Sequence, residues 1–185
     1  SAFLRTAGVD SVLYLFLCAF MQNIFPFRQA HDLGSIRQRL PARFGKAGVE
    51  DRPDPVSQFV GSFLSARTHE WKSWDVFARL VSRYPNWDDL ADAPVADIEA
   101  AISGVTFPEK KALGLKQALQ AIRTQFGQIN LDSLAQYDVD QALGCLEKIH
   151  GVGRKIAAAT LNFSALRMRA FVVDTHVLRI LLRVG

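Results

Sequence analysis

Beyond about residue 55 the apolar positions of this chain fall at helical spacing. Between Val56 and Ala66, the residues Phe59, Val60, Phe63 and Leu64 recur at i, i+1, i+4 and i+5, which puts them on one side of a helix. A second stripe runs through Trp74, Phe77, Leu80, Val81 and Tyr84 and is ended by Pro85. Pro94 and Pro108 stand where a first helical turn tolerates proline. They open predicted helices over Val95–Ser103 and Glu109–Phe126, with Gly104 and Gly127 marking the ends. Leu143, Leu146 and Ile149 turn one face of a helix over Gln141–Ile149 towards a core, and Ile156, Thr160 and Phe163 do the same for Arg154–Phe163. The stripe Val177, Ile180, Leu181 and Val184 predicts one more helix, with Asp174 in its N-terminal turn. No stretch alternates apolar and polar residues at strand period, so the chain reads as all-α.

With 49% hydrophobic and 22% charged residues in a length of 185, the chain has the composition of a globular protein with room for a sizeable core. Arg43–Pro55, rich in glycine, proline and charge, is the linker candidate. It sets off an N-terminal segment, residues 1–55, from a helical body over 56–170. The apolar run Val12–Met21 is shorter than the roughly 20 residues a membrane helix needs, and it has neither a basic cluster before it nor a small-x-small cleavage site after it. It predicts a buried or partner-covered helix, and no membrane partner is expected. Cys18 and Cys145 belong to no CxxC pair and lie in apolar helical patterns, where a free thiol is the default; a reducing cytoplasm fits them.

Charge changes the picture through its distribution. The formal net charge is +4, but from Arg154 to Gly185 six basic residues face one acid, a net of +5, so the rest of the chain sums to −1. Such a patch holds a phosphate backbone without reading its sequence. Arginines scattered over a solvated helix face would give the same count.

That basic stretch follows the run Ile149-His150-Gly151-Val152-Gly153-Arg154-Lys155 and contains Val173-Asp174-Thr175-His176. Glycines at 151 and 153 allow a sharp turn between two helices, a hairpin over residues 140–164, whose N–H groups then sit at a helix start where the dipole favours an anion such as phosphate. Lys155 falls in the first turn of the second helix, beside Arg154 and on a different face from Ile156, Thr160 and Phe163, so it points away from the core. Asp174 at a helix start is either a cap for exposed N–H groups or a fixed carboxylate partner, and the two roles can coexist.

Gly151-Val152-Gly153-Arg154-Lys155 together with Val173-Asp174-Thr175-His176 resembles the helix-hairpin-helix (HhH-GPD) DNA glycosylases, and the lysine-bearing endonuclease III family most closely. The resemblance runs from about Val56 to Gly185. It implies a helix-hairpin-helix DNA glycosylase fold, a helical bundle with an incomplete second lobe, of which residues 171–185 form the start and carry the aspartate. It further implies base-excision repair: a DNA glycosylase with abasic-site β-lyase activity that removes oxidised pyrimidines from double-stranded DNA. Lys155 and Asp174 would be its catalytic residues, and Gly151, Val152, Gly153, Arg154, Arg67, Thr175 and His176 would contact DNA. Arg67 stands in Ser65-Ala66-Arg67-Thr68 where the family has a glutamine that fills the gap left by a flipped nucleotide. Carbonyls of Glu147, Ile149 and Val152 would be candidates to hold a monovalent cation, with no metal bound by side chains. The four cysteines that hold a 4Fe-4S cluster in many members are not in this chain, so no cofactor is expected, and the protein is expected to act as a monomer. The alternative is a noncatalytic helix-hairpin-helix module that binds DNA without base chemistry.

Overall fold

Asp54 and Pro55 together start the body of the molecule. The Asp54 carboxylate accepts the N–H groups of Val56 and Ser57 at 3.0 and 2.9 Å, and Pro55 takes the first helical position, where no donor is needed. In the computed structural model, which describes residues 38–43, 45 and 52–184, they open helix α1 (Pro55–Ser65). There follow α2 (Glu70–Arg83), α3 (Trp87–Asp92), α4 (Val95–Ala101), α5 (Pro108–Phe126), a 3-10 turn (Asp132–Gln136), α6 (Val139–Glu147), α7 (Arg154–Phe163) and α8 (Thr175–Val184). Residues 38–43 are helical too, and no strand occurs among the described residues, as the all-α reading expects. The run Val12–Met21 and Cys18 lie outside the described residues, as does much of the Arg43–Pro55 segment.

Helix α1 is the centre of the body and packs on α7, α2 and α5. Its Phe59, Val60 and Leu64 are fully buried, and facing them α7 offers Ala157, Ala158 and Leu161. Alanines there let two helices approach closely. Helix α5 buries Ala112, Leu115, Ala118, Leu119 and Ile122 along one side. Each large side chain so buried contributes about 2 kcal/mol by leaving water. Helix α6 is set by a capping box: Asp138 accepts the Gln141 N–H at 2.8 Å while the Gln141 side chain accepts the Asp138 N–H at 3.3 Å. It therefore starts and ends two residues before the predicted Gln141–Ile149.

Several expected positions differ. On α2 the buried face is Ser73, Val76 and Leu80, and Trp74, one residue round from Ser73, is 60% exposed and only meets Phe77 edge-on. Phe163 ends α7 and is 49% exposed, while Ser164, the residue that caps the helix, is fully buried in its place. Gly104 does not close α4, which stops at Ala101. A side chain there would put its Cβ 2.8 Å from Val76 Cγ2, so close approach to α2 explains the glycine. The short α3 and the 3-10 turn were not expected from spacing.

The chain divides into two compact units, Glu50–Asp174 with helices α1 to α7, and residues 1–49 taken with Thr175–Gly185. In the latter, α8 half-buries Val177, Leu178 and Leu181 and leaves Ile180 exposed, a shift of one position from the predicted stripe. None of the described helices is long and apolar enough to cross a membrane.

Candidate active site

The link between α6 and α7 is built by local bonds. The Ile149 N–H donates to Leu146 O at 3.1 Å and the Val152 N–H to Ile149 O at 3.0 Å, while the buried side chains of Ile149 and Val152 anchor the turn to the core. Gly151 has φ +82°, the left-handed region that a side chain disfavours, and its missing Cβ would sit 3.8 Å from the Phe63 ring. Gly153 differs from the sequence reading. At φ −96°, ψ 172° with nothing within 4 Å, neither its angles nor its space call for glycine. As the N-cap of α7 it supplies no side-chain acceptor to the first turn.

Lys155 is the second residue of α7 and is half-buried. Arg154 is exposed and its guanidinium pairs with Glu147 across the hairpin at 2.8 Å. The cation whose charge meets that of Lys155 is Lys111, in the first turn of α5. Lys111 donates to the carbonyls of Leu64 and Ala66, both at 2.7 Å, and to Thr68 Oγ1 at 2.8 Å. Burial, and then the charge of Lys155, push its amine down to about 8. Sequence reasoning missed Lys111. In Lys110-Lys111 it looks like half of a solvated pair, and the available hint was a cation placed in the first turn of a helix, where the dipole disfavours it.

Arg67 lies in the turn held by Lys111. Helix α1 stops at Ser65, Arg67 takes φ +55° with its side chain exposed, and the Thr68 N–H returns to Ser65 O at 3.0 Å. Thr68 Oγ1 also accepts the Thr106 N–H at 3.1 Å, which fastens the loop before α5; there Phe107, at φ +56°, is half-exposed. Arg67, Gly151, Val152, Gly153, Arg154 and Lys155 thus belong to one unit with Lys111.

Asp174 is the last residue of that unit and immediately precedes α8, partly buried. The segment leading to it is tied to the end of α7 by Asn162, whose side-chain amide donates to Met168 O and Ala170 O at 3.2 and 3.0 Å. The Arg52 guanidinium donates to the backbone carbonyl of Asn162. Thr175 and His176 are exposed first residues of α8 and fall in the other unit. Among the described residues no three His, Cys, Asp or Glu side chains cluster to hold a metal ion, and Cys145 on α6 is a free, half-buried thiol. Two cysteines in the whole sequence do not make the four-thiolate set of an iron-sulfur cluster.

An all-helical body with a glycine hairpin that opens a lysine-bearing helix defines a helix-hairpin-helix protein. The profile of the HhH-GPD superfamily of base excision DNA repair proteins matches residues 60–185, and the chain belongs to that family. It is 34% identical over 126 residues to a provisionally named DNA glycosylase of Arabidopsis thaliana, covering 68% of this chain and 43% of that one. It is 30% identical over 135 residues to endonuclease III of Synechocystis sp., covering 73% of this chain and 58% of that one. The chain thus spans about half the length of the curated relatives it matches. Its fold is similar to that of endonuclease III in a trapped covalent intermediate with DNA, with a TM-score of 0.67 at 24% identity over 82% of this chain and 67% of that one.

Proposed function

We propose that this chain removes damaged bases, oxidised pyrimidines in particular, from duplex DNA and then cuts the abasic strand by β-elimination. One placement supports the reading: an amine, Lys155, half-buried in the first turn of α7 directly behind the glycine hairpin. The hairpin N–H groups and Arg154 hold phosphates, and the carbonyls of Glu147, Ile149 and Val152 would be the groups to hold a sodium or potassium ion, which would add positive charge for the phosphate backbone. Arg67 enters the base stack as the damaged nucleotide leaves it, and Thr175 and His176 add contacts to the strand.

Lys155 Nζ then attacks the sugar C1′. The bond from C1′ to the base breaks, its electron pair leaves with the base, and the base is protonated as it departs. Asp174 stabilises the cationic sugar or takes the proton that the amine sheds. Opening of the sugar ring gives an imine between Lys155 and C1′. That imine acidifies the C2′ proton, whose loss expels the 3′ phosphate and nicks the strand, and hydrolysis of the imine returns the free amine. Holding amine and sugar together is worth several powers of ten in model reactions.

Nicking of a duplex with a single abasic site tests this reading. Lys155→Gln should nick about a thousandfold more slowly while its affinity for the duplex stays within a few-fold. Asp174→Asn should slow base removal more than it weakens binding. A Lys155→Gln protein that nicks as fast as its parent would contradict this role for Lys155, and a parent chain that binds the duplex without nicking it would describe a noncatalytic hairpin module.

A further inference from the structure

Lys111 is bound in an unusual way for a lysine near a surface. An ammonium has three N–H donors, and here each finds an acceptor: Leu64 O, Ala66 O and Thr68 Oγ1 at 2.7, 2.7 and 2.8 Å. The two carbonyls close the C-terminal end of α1, where the helix dipole is negative and favours a cation. Burial works in the opposite sense and draws the amine down to about 8. The three acceptors enclose Arg67, whose φ of +55° is one that residues with side chains rarely adopt. Thr68 Oγ1 takes a fourth bond from the Thr106 N–H, so the turn behind α1, the loop before α5 and Lys111 meet in one knot. Helix α1, whose end carries the knot, packs directly on the hairpin helix α7, and the charge of Lys155 acts on Lys111.

We propose that Lys111 is a positioning residue, which locks the Leu64–Thr68 turn to the head of α5 and so sets Arg67, before DNA arrives, in the conformation that fills the space of an extruded nucleotide. The proposal rests on the glycosylase reading above. It adds a residue distant in sequence from both motifs, 43 to 47 positions from the groups it binds. Because Arg67 acts only where a base must leave a stack, Lys111 matters for duplex substrate and far less for an abasic sugar in a single strand.

The test uses the full chain and two probes: a duplex oligonucleotide with thymine glycol opposite adenine, and a single-stranded oligonucleotide with one abasic site. The readout is the ratio of single-turnover base removal from the first to borohydride capture on the second. Lys111→Met should lower that ratio about tenfold, the scale on which misplacing a positioned group slows a reaction. Arg67→Ala should lower it similarly, and the double variant should lose no more than the larger single loss, since both act through one group. Should Lys111→Met fail to fold, Thr68→Val, which keeps the shape and removes one acceptor, should lower the ratio in the same direction. An unchanged ratio in a folded Lys111→Met or Thr68→Val protein overturns the proposal, and so does a double variant whose loss equals the product of the single losses. A parent chain that neither excises nor is captured overturns the glycosylase reading, and this proposal with it.

Discussion

Two turns of this molecule each contain a residue with left-handed backbone, and they are held in opposite ways. In the hairpin the residue is Gly151, which adopts φ +82° without a Cβ to obstruct it, and the turn closes on itself through Val152 and Ile149. Behind α1 the residue is Arg67, which carries a long side chain at φ +55°, and the turn is held largely from outside, by Lys111 and Thr106. A turn that presents only backbone N–H groups can be written into a few consecutive residues. A turn that must present a side chain from a strained backbone needs a distant tie, and this one is a partly buried ammonium.

Changes in the hairpin should give the largest effects on stability. Gly151→Val places a branched side chain at a left-handed angle and should cost about 2 kcal/mol in urea denaturation. Gly153→Ala, by contrast, should leave stability within about 0.5 kcal/mol, because φ is ordinary there and the space is open. Equal losses at the two glycines would erase the distinction between a required and a permissive position.

The Arg67 turn should answer more weakly. Lys111→Met should cost about 1 kcal/mol with Arg67 present and less in an Arg67→Gly background, where the turn no longer needs holding. The dependence on pH has a definite sign. Below about 8 Lys111 is charged in both folded and unfolded chains, so the full cost of burying its charge is present. Between about 8 and the ordinary 10.5 the unfolded chain keeps a proton that the folded one has released, and stability rises with pH; above 10.5 the group is neutral in both. Melting temperatures of the wild type relative to Lys111→Met should therefore climb from pH 8 to 10, and a flat difference would count against the burial of that amine.

A small stability effect also belongs to Glu147→Gln, which releases Arg154 from a partly exposed pair and should change stability by less than about 1 kcal/mol. The same change should strengthen duplex binding and steepen its salt dependence by about one phosphate contact. Titration of a labelled duplex at several salt concentrations reads both.

How far each region was legible in the sequence follows from the same contrast. The boundaries of α7 and the left-handed glycine came from consecutive residues, because helix periodicity and turn chemistry are local. Phe59, Val60, Phe63 and Leu64 were read correctly as a core face, since a stripe flanked by polar positions has one side to bury. Trp74, Phe163 and Ile180 were not, because hydrophobicity says that a residue gains by burial and says nothing of whether a neighbour arrives to cover it. Gly104 was taken for a helix stop when its reason is Val76, 28 positions earlier. Lys111 gave almost no signal, since its three partners are backbone carbonyls and one hydroxyl, which carry no mark in composition. The partner of Arg154 was equally hidden: Glu147 lies on the preceding helix and faces it only after the hairpin has turned.

The most direct measurement is borohydride capture of the full chain on duplex DNA with one abasic site, followed by mass spectrometry of the cross-linked peptide. The account predicts a covalent adduct on Lys155, in the peptide that follows the Gly151 turn. An adduct on Lys111 or on another amine, or a chain that binds the duplex and forms none, would contradict it.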